Sequence, residues 1–278
     1  MLSIWARVLE SGRSTVCHHA DTSDSCDSFF YIDDIVVADA YEGASVVAID
    51  LSPHQTSWVP PNLKFMVDDA ESEWLYPQNH FDYVHTRHTI QAFKNWPLLM
   101  ERAFAYVLLS ISFRNSNFNH SHIKPGGWME CQELDHFPRC EDGTMEPDNW
   151  MVKYWDMVAD GLVPFGVCFR DAPKLKGMME AAGFINITER LFFTPIGPWP
   201  KNRALKEVGL YWRAVLMEGL EAIALAPLIK GLGWEKAEVD VLCARTRAAY
   251  LERSTHAYMP FYILYGQKPY APVPPADP

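Results

Sequence analysis

The sequence has no glycine between Gly12 and Gly43, no pair of cysteines at CxxC spacing, no uninterrupted run of 18 apolar residues and no excess of basic charge. Each absence excludes something. Six scattered cysteines (Cys17, Cys26, Cys131, Cys140, Cys168 and Cys243) argue for free thiols in a reducing compartment and against a zinc site. The lack of a long apolar run gives no membrane span. Met1 to Val8 carries one arginine and too short an apolar stretch for a secretory leader, so Asn119-His-Ser and Asn186-Ile-Thr read as chance glycosylation matches. A net charge of −11 disfavours direct nucleic-acid binding, which needs a cationic surface to displace counterions. It also leaves no basic run for nuclear import. The expected location is cytoplasmic, nuclear or both, with import through a partner left open.

What is present suits one globular unit: 278 residues, 49% hydrophobic and 21% charged. Residues 1–28 show no periodicity and read as a disordered or aberrant segment, with order expected from about Phe29. From there short apolar runs alternate with helical stretches, which argues for an α/β sheet. Ser45 to Ile49 is a β-branched run ending in Asp50. Leu63 to Val67 is a second, ending at Asp68 and Asp69. Phe81 to His85 is a third, followed by a helix over Trp96–Ala105. Pro125-Gly-Gly reads as a turn and Trp128 to Gln132 as a fourth strand. Lys174 to Ala182 reads as a helix stopped by Gly183. Asn186 to Phe193 and Ala257 to Tyr265 are further strands. Between them, 201–253 is helical with breaks near Pro227 and Gly231. The tail 269–278 is proline-rich.

Ligands of open α/β sheets sit at the carboxyl ends of the strands. Asp50 stands at one such end, where a carboxylate accepts both hydroxyls of a ribose. Asp69-Ala70-Glu71 stands at the next, where an Asp can accept from an exocyclic amine. Thr86, Arg87 and His88 close the third. The reading names no metal ligand.

Gly43-Ala-Ser-Val-Val-Ala-Ile-Asp-Leu-Ser-Pro53, Ser57-Trp-Val-Pro-Pro-Asn62, Asp68-Asp-Ala-Glu-Ser-Glu-Trp74, Phe81-Asp-Tyr-Val-His-Thr-Arg-His88 and Lys124-Pro-Gly-Gly-Trp-Met-Glu130, taken in order, resemble the fungal LaeA-like class I methyltransferases that use S-adenosylmethionine (SAM). The resemblance covers about residues 38–268. It implies a Rossmann-like sheet of seven mostly parallel strands, the last antiparallel and the first degenerate. The domain would run over 29–268, with 201–253 as a helical lid. It implies SAM as cofactor. Asp50 would take the ribose hydroxyls, Leu51 would pack on adenine, and Asp69 would read the adenine amine beside the Ala70 backbone. Thr86, Arg87 and His88 would lie where the methionine end meets the acceptor. A general base is optional, because the sulfonium is already an activated donor. His88, Glu133 and His136 are the candidates, each with a structural alternative: a helix cap, a backbone-amide ligand and a surface loop residue. A small-molecule acceptor is expected, with a protein partner also open.

The chain departs from that family twice. The family's first strand ends in an acid and a glycine-rich loop; here Phe29–Tyr31 stand at the loop or strand position and Ile32–Tyr41 replaces the following helix. Residues 106–121 form an insertion rich in Ser, Asn and Phe, of a length that suits either a retained intron or an extended loop. Two functions therefore compete: methyl transfer in fungal secondary metabolism, and a methyltransferase-like scaffold that lacks the SAM glycine loop. A nucleotide-binding oxidoreductase is disfavoured by the Lys-Pro-Gly-Gly-Trp segment and the helical block before the last strand.

Overall fold

The computed structural model describes residues 3–9, 32–52, 59–104 and 122–270. The 106–121 insertion and the 271–278 part of the tail lie outside them. Seven strands form one sheet in the order β3-β2-β1-β4-β5-β7-β6. They are β1 (Ser3–Leu9), β2 (Ala44–Asp50), β3 (Leu63–Val67), β4 (Phe81–Arg87), β5 (Ile123–Leu134), β6 (Ile185–Pro195) and β7 (Tyr258–Gln267). The helices are α1 (Ile32–Ala40), α2 (Trp96–Phe104), α3 (Trp150–Leu162), α4 (Leu175–Ala182), α5 (Arg203–Leu225) and α6 (Lys236–Leu251). A π-helical turn at Ala226–Gly231 joins α5 to α6.

Strands β2 and β3 pair in parallel, as do β4 and β5. The final strand β7 is antiparallel to β5 and to β6. The strand between β2 and β4 differs from expectation. Residues 1–28 read as lacking regular structure, yet Ser3–Leu9 takes the central place. It runs antiparallel to both neighbours, with Ile4 opposite Ile49 and Thr86. The sheet therefore has more antiparallel than parallel pairings, which corrects the mostly parallel expectation. A gap between two buried strands leaves two rows of backbone N–H and C=O groups needing partners. Either direction of a filling strand supplies them.

The β-branched run of β2 packs Ala44, Val46 and Ala48 against Ala38 of α1 and Leu63 of β3. Asn62 fixes this corner. Its side-chain amide lies 2.9 to 3.0 Å from the carbonyls of Ala38, Tyr41 and Ala44, the end of α1 and the start of β2. Pro125-Gly-Gly is not a turn. It lies inside β5, where the register with β4 shifts between Phe81 and Tyr83. Gly183 caps α4 in the left-handed conformation, with φ of 103°.

Helix α3 has no counterpart in the sequence reading. Its buried Met151, Tyr154, Trp155 and Val158 recur at helical spacing, and Asn149 caps its start by accepting from the Met151 N–H. Two buried hydrogen bonds tie α3 to the last helices. Tyr154 donates to the Leu220 carbonyl at 2.6 Å and Trp155 Nε1 to the Tyr250 hydroxyl at 2.9 Å. Backbone contacts fix the same helices. A Cβ on Gly209 would overlap the Gly197 carbonyl, and one on Gly231 would overlap that of Gly161. So α5 sits directly on the loop after β6, and the π turn sits on α3.

Candidate functional site

The strands β2, β3, β4 and β5 all end at one edge of the sheet. Asp50 ends β2, and its Oδ1 accepts the Ser52 N–H at 2.7 Å, so the carboxylate is turned at the strand end. Leu51 beside it is 61% exposed, an apolar surface with no core role. The Asp68 N–H bonds the Asp50 carbonyl at 3.1 Å, which brings the end of β3 alongside. Asp69 holds the next turn: its Oδ1 accepts the Glu71 N–H at 2.9 Å and its Oδ2 faces the Ser72 hydroxyl. Ala70 is only 1% exposed, and its carbonyl accepts Trp74 Nε1 at 2.9 Å. Glu71, given no role by the sequence reading, accepts the N–H groups of Lys94 and Asn95 just before α2.

At the same edge β1 begins rather than ends. Ser3 lies opposite Arg87, whereas Leu9 lies opposite Ala44 at the far edge. The carboxyl end of β1 therefore lies at the edge of the sheet away from Asp50. Phe29–Tyr31, the expected loop replacement, lie outside the described residues.

The ends of β4 and β5 bring the other candidates together. Thr86 is fully buried within β4, against the thiol of Cys131. Arg87 is half-buried, and its charge acts on Glu133. His88 carries a positive φ of 52°, uncommon for a residue with a side chain. Its N–H donates to the Gln132 carbonyl at 3.0 Å, and its carbonyl accepts Gln91 Nε2 at 2.6 Å. Glu133 is completely buried. Its Oε2 accepts the N–H groups of Thr89 at 2.8 Å and Ile90 at 2.9 Å, and its Oε1 accepts the Thr89 hydroxyl at 2.6 Å. Burial pushes the Glu133 carboxyl up to about 7, against these bonds and the charge of Arg87. This geometry matches the backbone-amide alternative for Glu133.

His136 is not a surface loop residue. It is 9% exposed and stacks on Phe169, with ring centres 4.7 Å apart, beside Trp155 at 4.8 Å. Burial pulls its imidazole down to about 3, the charge of His88 adding to the effect. It is therefore neutral at ordinary pH. The ring centres of His88 lie 6.3 Å from His136, 6.4 Å from Trp212 of α5 and 6.0 Å from Phe261 of β7. Leu216 and Leu220 are core residues. Trp199 faces a neighbour, stacking on His256 and donating to the Ala257 carbonyl, and Tyr211 is 61% exposed. Among the described residues no group of three or more His, Cys, Asp or Glu side chains is arranged to hold a metal ion, and no helix is long and apolar enough to cross a membrane.

Comparison with known proteins gives the family. The family model described as a methyltransferase domain matches residues 34–189. Methyltransferase pytC of Aspergillus terreus is 34% identical over 84% of this chain and 67% of its own length. Secondary metabolism regulator LAE1 of Cochliobolus heterostrophus is 32% identical over 84% of this chain and 72% of its own. Among solved structures, the YcgJ protein of Bacillus is 15% identical over 81% of this chain and 82% of its own, with a TM-score of 0.41, too low to decide anything about the site.

Proposed function

This chain belongs to the methyltransferase-domain family, and we propose that it transfers a methyl group from SAM to a small-molecule or regulatory acceptor in fungal secondary metabolism. The observation that carries the reading is the pair of carboxylates, Asp50 and Asp69, at the ends of the adjacent strands β2 and β3 with exposed Leu51 beside them. Two acceptors flanking an apolar surface fit a nucleoside: Asp50 for the ribose hydroxyls, Asp69 and the Ala70 backbone for the adenine edge. Thr86, Arg87 and His88 stand toward the methionine end. When bound, SAM supplies an activated methyl group on a cationic sulfur. The chain's part is then to orient the acceptor and exclude water. The helices of 201–253 serve as a roof over the acceptor rather than a mobile lid, because α5 and the π turn rest on backbone through Gly209 and Gly231. His88 is the base the geometry favours. Glu133 is spent on Thr89 and Ile90, and His136 stays neutral in its stack.

A second reading has its own observation. The reversed β1, in a chain with no glycine between Gly12 and Gly43, favours a methyltransferase-like scaffold that does not grip SAM. The two readings separate on turnover. Purified protein is incubated with SAM and a pool of fungal secondary metabolites, and S-adenosylhomocysteine release is followed. Release that Asp50→Ala abolishes supports the enzyme. A folded protein that releases none supports the scaffold.

A further inference from the structure

Glu71 fastens the turn after β3 to the start of α2. Its Oε1 accepts the N–H groups of Lys94 at 2.8 Å and Asn95 at 2.9 Å, and its carbonyl accepts the guanidinium of Arg102. These partners belong to a fixed body. Asn95 caps α2 by accepting the Leu98 N–H at 3.0 Å, and α2 buries Trp96, Leu99, Met100 and Ala103. The turn has less support of its own. Asp68, Asp69, Ser72 and Glu73 are exposed, and Ala70 and Trp74 alone within 68–74 are buried. Glu71 is also the residue that orients Asp69, because its N–H donates to Asp69 Oδ1 at 2.9 Å. The Ser72 hydroxyl takes one position on Oδ2. A carboxylate oxygen has two acceptor positions, so each Asp69 oxygen keeps one open to a ligand. An acceptor held still costs a ligand less ordering than one that turns freely in water.

We propose that Glu71 is a positioning residue: it ties Asp69 to α2 and so sets how strongly the site prefers a purine that carries an amino group. The inference rests on the SAM-binding reading of Asp69. It goes beyond that reading in giving the selectivity to a residue that touches no part of the nucleoside.

Equilibrium dialysis of the full chain with S-adenosylhomocysteine and S-inosylhomocysteine tests the idea. The second ligand carries a carbonyl in place of the purine amine. The parent should bind the adenosine compound about tenfold tighter, as one hydrogen bond to a charged group implies. Glu71→Ala should weaken S-adenosylhomocysteine about fivefold and leave S-inosylhomocysteine unchanged. Glu71→Gln keeps an acceptor oxygen for Lys94 and Asn95 and should behave as the parent. Glu71→Asp, too short to reach both N–H groups, should behave as Glu71→Ala and keeps the test open if the alanine variant does not fold. Because Glu71 acts through Asp69, the Asp69→Ala/Glu71→Ala double variant should bind no more weakly than Asp69→Ala alone. A folded Glu71→Ala protein with the parent's preference overturns the proposal. So does equal weakening of both ligands, or additive losses in the double variant. A folded parent that binds neither ligand removes the methyltransferase reading and the proposal with it. Parental binding of S-adenosylhomocysteine that Glu71→Ala leaves intact removes the proposal alone.

Discussion

Glu133 holds Thr89 at two points, its Oε2 taking the Thr89 N–H at 2.8 Å and its Oε1 the Thr89 hydroxyl at 2.6 Å. Through this grip β5 fixes the turn that follows β4, and with it the backbone of His88. A buried carboxylate with three donors is a structural clamp for the edge where the site lies.

Removing the clamp should therefore be costly. Glu133→Ala leaves the buried N–H groups of Thr89 and Ile90 without an acceptor, a loss of about 2–5 kcal/mol. Glu133→Gln keeps an acceptor oxygen for both N–H groups, and the Thr89 hydroxyl can turn to accept from the amide. It should cost about 1 kcal/mol or less. Urea unfolding of the two variants checks this; equal losses would refute it.

The same carboxyl sets a pH dependence. Its pKa is about 4.5 in the unfolded chain and about 7 in the fold. Between those values the folded state holds a proton that the unfolded state has released. The contribution of Glu133 is thus full below about 4.5 and is lost as pH rises through about 7. His136 acts at the other end. Its pKa falls from 6.5 to about 3, so its contribution is full above 6.5 and is lost as pH falls toward 3. Over pH 4.5 to 6.5 the two contributions oppose one another, so the measured unfolding free energy should change little with pH in the parent and rise with pH in Glu133→Gln, where the His136 contribution acts alone. The His136 ring signals in NMR should not titrate over that range.

The roof depends on close backbone approach. In Gly209→Ala the new methyl meets the Gly197 carbonyl, and in Gly231→Ala it meets that of Gly161. Either substitution should destabilise by about 1–3 kcal/mol, as overpacking does. Gly177→Ala, where a Cβ meets nothing within 4 Å, serves as the control. Thermal unfolding reads all three, and losses no greater than the control's would contradict the packing described.

Much of this architecture is legible in local sequence. The runs 45–49, 63–67 and 81–85 are β-branched and aromatic, and each falls within an observed strand. Asp50 and Asp69 stand at strand ends because the strands themselves are plain. Other features depend on distant contacts. The direction of β1 is set by its pairing with β2 and β4 and leaves no trace in its own periodicity. Thr89 and Glu133 lie 44 residues apart, so no motif links them. Pro125-Gly-Gly carries turn residues but continues a strand, because β4 accepts it with a register shift. Helix α3 carries a local signal of its own: Met151, Tyr154, Trp155 and Val158 mark its buried face at helical spacing.

Calorimetric titration of the 278-residue protein with SAM tests the central claim most directly. The account predicts one site of micromolar strength, abolished by Asp50→Ala and weakened by Asp69→Ala, with folding unchanged in both variants. A well-folded protein that takes up no SAM, or binds it equally well without Asp50, would contradict it.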